Sequence, residues 1–155
     1  MTDVTGAVGR SPIVRVSAAL TTTRGGRVYD AACDAAESVP VVRTGPIGVD
    51  RLEPLVLVTE GGQTAFFDAA SPATARDLVT ELESDGLSTG RADAVVDHDA
   101  DTSSLPVPDA GPLSVGCRRV LGPCGWVDPL EPADYALCAP ERDASAAAEA
   151  GLLAR

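Results

Sequence analysis

The chain has 155 residues, with 23 acidic against 12 basic side chains and a net charge of -11, which leaves room for one domain of about 100 residues plus an extension. The excess of carboxylates, and basic residues that are all Arg, argue against a nucleic-acid or acidic-membrane partner, because phosphate is repelled. An acidic surface rich in Ala, Val and Asp also fits a high-salt, halophilic cytoplasm, where screening makes the self-repulsion tolerable.

The polar start MTDVTGAVGR lacks the charged and apolar regions of a signal peptide. No run of about 18 apolar residues follows, so a soluble cytoplasmic protein is expected. Residues 13–18 alternate Val14, Val16 and Ala18 against Arg15 and Ser17, the period-2 signature of a first strand. Residues 21–26 then read as a loop, and residues 27–38 as a helix whose thin stripe is Val28, Ala32, Ala35, Ala36 and Val39. Cys33 beside that stripe reads as a small buried or half-buried thiol rather than a redox group. Residues 39–43 form a short β-branched strand, residues 44–54 a turn-rich connection with two glycines and two prolines, and residues 55–59 an apolar strand.

A hairpin follows, with residues 64–68 returning through Glu60-Gly61-Gly62-Gln63, where the glycines supply positive φ. Ser71 and Pro72 open a second helix as N-cap and first helical residue, Ala75, Leu78, Val79 and Leu82 give its apolar face, and Gly86 stops it. Residues 91–112 are acidic and poor in large apolar side chains, which reads as a linker or loosely attached strap; His98 within it, as Asp-His-Asp, reads as solvated rather than metal-binding. Residues 140–153 are Ala-rich and suit a helix. Cys33, Cys117, Cys124 and Cys138 are expected as free thiols, and with a single His and no CxxC they make no zinc site.

The segment VVRTGPIGVDRLEPLVLV, residues 41–58, resembles the cluster loop of the thioredoxin-like [2Fe-2S] ferredoxin domain at the front of flavin-bearing NADH-oxidising subunits of complex I, NAD-linked hydrogenases and formate dehydrogenases. Thr44, Gly45 and Gly48 match that loop, but Pro46 and Asp50 stand at its two cysteine positions, and the loop at residues 20–26 offers hydroxyls and an Arg where the other cysteines are expected. Proline has no ligand atom and a lone carboxylate is a poor substitute for thiolate on iron. A second segment, residues 113–135, resembles the leader that follows this domain, through Arg118, Arg119, Leu121, Cys124, Gly125, Asp128, Pro129 and Tyr135.

The resemblance implies an α/β, thioredoxin-like (ferredoxin-type) mixed sheet flanked by helices, with a mostly irregular C-terminal extension. Its expected divisions are a domain at residues 12–90 without cluster ligands, an acidic linker at 91–112 and the leader-like extension at 113–155. No flavin or NADH site is expected, because no Gly-x-Gly-x-x-Gly follows a strand. The resemblance therefore implies a chain that is not catalytic alone, carries neither cofactor nor metal, and docks on a separately encoded flavin/NADH-binding subunit. Arg118, Arg119, Cys124, Trp126 and Asp128 are the expected contacts, with Trp126 either an interface anchor or a core plug. A dithiol or cluster electron carrier lacks its thiolates. A stand-alone binding module, with the amides of residues 44–48 facing an anion, is opposed by Asp50 and Glu53.

Overall fold

The computed structural model describes residues 8, 10–19, 23–115 and 121–138. In chain order these form β1 (Ile13–Ser17), α1 (Thr23–Ala35), β2 (Val41–Thr44), a 3-10 turn (Asp50–Leu52), β3 (Leu55–Glu60), β4 (Gln63–Phe67), α2 (Pro72–Asp85), β5 (Ala94–Asp97) and α3 (Pro132–Cys138). The strands make one mixed five-stranded sheet in the order β2-β1-β3-β4-β5, parallel between β1 and β2 and antiparallel elsewhere. The fold is thus α/β, as expected.

Local chemistry accounts for most of these elements. The β3-β4 turn is closed by Gly61 and Gly62 at φ 59 and 81, values open to glycine and strained for other residues. The Ser71 hydroxyl accepts from the Thr74 amide at 3.1 Å, satisfying one of the free N–H groups of the first turn of α2, and Gly86 ends the helix at φ 82. Glu83 on α2 accepts from the amides of Glu37, Ser38 and Val39, pinning the connection from α1 to β2 and holding its carboxyl below the usual value.

Three elements depart from the sequence expectation. Helix α1 starts at Thr23 rather than Arg27, so the two glycines read as loop belong to its first turns, with Gly25 buried. Packing on the sheet and on α2 outweighs their low helix propensity. Residues 94–97, expected in a linker, form edge strand β5 with Gln63, Thr64, Ala65 and Phe66 as register partners. Its flanking Asp residues gave the segment a linker composition, while Ala94 and Val96 supply the alternation that pairs it with β4. Helix α3 lies where irregular chain was expected, and the expected helix at residues 140–153 lies outside the described residues.

Both faces of the sheet are covered. On one face Val14, Val16, Val56, Val58, Ala65 and Phe67 pack against Val28 and Ala32 of α1 and Ala75, Leu78, Val79 and Leu82 of α2. On the other, Leu55, Leu57 and Phe66 pack under Ile47, Leu105, Leu113, Trp126 and Val127, all from connecting segments. Arg15 and Ser17, the polar members of the β1 alternation, are therefore buried at 0% exposure. No helix among the described residues is long and apolar enough to cross a membrane.

Candidate functional site

The second face of the sheet is where the chain departs most from an ordinary apolar core. Arg15 lies in the middle of β1, buried, with its guanidinium carbon 3.8 Å from the centre of the Trp126 ring. Its Nε donates to the Trp126 carbonyl oxygen at 3.1 Å and its terminal nitrogen to the Thr59 hydroxyl at 3.1 Å. Thr59 and Thr64 face each other across the β3-β4 pair with hydroxyls 2.8 Å apart, and Thr64 reaches His98 Nε2 at 2.8 Å. His98 Nδ1 faces the Asp99 carbonyl at 2.8 Å, and the imidazole meets the Trp126 ring edge-on at a centroid distance of 5.9 Å.

These contacts set one direction of donation. A carbonyl can only accept, so Nδ1 carries a hydrogen and Nε2 accepts from Thr64 in the neutral ring. Thr64 in turn accepts from Thr59, and Thr59 from Arg15. A hydroxyl within hydrogen-bond reach of an imidazole is also the pairing of a nucleophile with its base. Here Thr64 is 0% exposed and Trp126 is 1% exposed, so substrate has no route to that hydroxyl. The arrangement is a fastening that ties β1, β3, β4, the residues after β5 and the extension together.

The loop between β2 and β3 is fastened to the same extension. Thr44 ends β2 in the interior, and the Gly45 carbonyl accepts from the Ser17 hydroxyl at 2.9 Å and the Gly125 amide at 3.1 Å. Ile47 is 0% exposed and lies so close to Gly125 that a Cβ there would stand 2.5 Å from Ile47 Cγ2. A Cβ at Gly48 would meet Leu121 at 3.4 Å. Residues 121–127 thus lie against the loop that the resemblance assigns to a cluster. Pro46 and Asp50 are exposed, and Asp50 opens the 3-10 turn. Glu53 accepts from the Ile47 amide at 3.0 Å, so that amide already serves a carboxylate; burial pushes the Glu53 carboxyl up, while backbone donors at Ala19 and Ile47 oppose the shift.

Of the expected contact residues, Trp126 occupies the core-plug position and presents no ring to a partner. Its indole Nε1 is buried without a hydrogen-bond partner. Cys124 and Asp128 are half-buried; Asp128 accepts from the Leu130 amide at 2.9 Å and donates its own amide to buried Asp134 at 2.8 Å. Arg118 and Arg119 lie outside the described residues, as do Cys117 and the Cys138 side chain. Cys33 and Cys124 are free thiols. Tyr29 has Cys33 as its neighbour one helical turn on, and that thiol, with burial and the Asp128 charge, pushes the Tyr29 hydroxyl up to about 12. Among the described residues no cluster of His, Cys, Asp and Glu could hold a metal ion.

The residues that sequence reasoning missed are Arg15, Thr59, Thr64 and Asp134. The available signal was Arg15 itself, a long cation between Val14 and Val16, together with two threonines flanking one glycine turn. No protein-family model matches the chain, and comparison with curated proteins finds no match.

Proposed function

We propose that the chain is a non-catalytic accessory, split or truncated component of an NADH dehydrogenase-type electron-transfer complex, built on a thioredoxin-like domain that has lost its cluster ligands. The observation that carries this reading is the loop between β2 and β3, where Thr44, Gly45 and Gly48 are kept while Pro46 and Asp50 replace thiolates. The mixed sheet with α1 and α2 on one face supports the thioredoxin-like assignment. The partner in this reading is a separately encoded flavin/NADH-binding subunit, and the docking surface lies on the extension. Val115, Leu121, Leu130 and Tyr135 are 77%, 42%, 82% and 49% exposed, a concentration of uncovered large apolar side chains within one stretch of chain.

The alternative is a stand-alone thioredoxin-like binding module or repurposed remnant, favoured by the closure of the loop under residues 121–127. Both readings share the loss of the cluster. Anaerobic reconstitution with iron and sulfide, followed by iron and acid-labile sulfide assay, is expected to leave the purified chain colourless and without bound cluster. Stoichiometric cluster would overturn the reading of the loop.

A further inference from the structure

We propose that the cleft between the end of β4, the start of β5 and residues 108–113 is a binding site for a small organic cation with a one-ring apolar body, the chemistry of an arylalkylamine. The inference is independent of the proposed complex. The cleft is half open to solvent, with a volume of about 140 Å³; its apolar lining includes Leu52, Leu55, Phe66 and Leu113, and the exposed Asp68 and Asp93 stand at it as its acidic part. An apolar cavity of about 150 Å³ accepts one benzene-sized ring. The space therefore suits a single ring, and the charge beside it fixes the sign of the polar end.

The two carboxylates are held together by the fold. Asp93 Oδ2 accepts from the Asp68 amide at 2.8 Å, bringing the acid that precedes β5 onto the residue that follows β4. Neither forms an ion pair with a described residue, the nearby Arg91 being engaged with Asp77 and Glu81. Slight desolvation and the Asp93 charge raise the Asp68 carboxyl, itself exposed, above its ordinary value of 3.8. An ammonium group beside the pair relieves that repulsion, whereas an anion adds to it. A neutral ring of the same size gains only the apolar contact.

Titration of the full chain with phenethylamine and its neutral counterpart 2-phenylethanol, followed by amide shifts in NMR, tests the site. The amine is expected to bind saturably, about tenfold tighter than the alcohol, the scale of two exposed charge contacts. Shifts should centre on Phe66, Asp68, Ala94 and Leu113. Asp68→Asn with Asp93→Asn keeps an acceptor for the Asp68 amide and should abolish the preference for the amine while leaving alcohol binding unchanged. Should that double variant fail to fold, Asp68→Asn alone, with its amide acceptor intact, should weaken amine binding several-fold. Absence of saturable amine binding, equal affinity for amine and alcohol, or an amine preference that survives in whichever of these variants folds overturns the proposal.

Discussion

Replacing Trp126 by Ala is expected to destabilise the isolated chain by about 3–5 kcal/mol, the range for emptying a fully buried large aromatic site. Trp126 is 1% exposed, its ring caps the Arg15 guanidinium at 3.8 Å, and the His98 ring meets its edge. Removing the ring leaves a buried cation beside a void, so the lost packing and the lost cation–π contact act in the same direction. For a chain of this size the unfolding midpoint should fall by roughly 10 °C. Trp126→Phe should be milder, because Nε1 has no hydrogen-bond partner to lose. Thermal unfolding by circular dichroism reads both variants; an unchanged midpoint in Trp126→Ala would place that side chain at a surface.

The second large effect is expected at Gly125. Its φ of 82 is a left-handed conformation that costs a non-glycine residue about 1–2 kcal/mol, and an added Cβ would stand 2.5 Å from Ile47 Cγ2. Overpacking of that kind costs about 1–3 kcal/mol more, so Gly125→Ala should lose about 3 kcal/mol. The two causes separate in a double-mutant cycle. Ile47→Ala is destabilising alone, but the pair Ile47→Ala and Gly125→Ala should lose less than the sum of the singles, since the clash is gone. Strict additivity would mean that residues 121–127 do not press on the loop between β2 and β3.

The first half of the chain was legible in sequence because its signals are local. The glycine pair at residues 61–62, the Ser71 cap and the three-four spacing of Ala75, Leu78, Val79 and Leu82 each specify their own geometry without reference to distant chain. Strand β5 was not legible, because Ala94, Val95 and Val96 between two aspartates have a linker composition until β4 supplies the partner. The surroundings of Arg15 were not legible for a related reason. Alternation along β1 sets it apart from Val14 and Val16, and only the covering residues Leu105, Leu113, Trp126 and Val127 decide whether that face meets water or a Trp ring. The position of Trp126 follows from the same long-range packing, which composition could not separate from an exposed anchor.

The candidate site divides in the same way. The absence of thiolates at Pro46 and Asp50 is plain in the sequence, whereas the closure of the loop by Ile47 and Gly125 is a contact between residues 78 positions apart. The four uncovered apolar side chains from Val115 to Tyr135 emerge only once the rest of the extension is seen packed on the sheet.

The central claim is that this domain serves a flavin-bearing, NADH-oxidising subunit as a docked, non-redox component. Affinity purification of the full chain from its own cells, with flavin spectra and NADH oxidation measured on the eluate, tests it most directly. The account predicts a co-eluting flavoprotein with NADH-oxidising activity, lost when Leu130→Glu places a charge on the exposed extension while the isolated variant keeps its unfolding midpoint. An eluate free of flavin and of NADH oxidation, from chain that is folded and abundant, would contradict it.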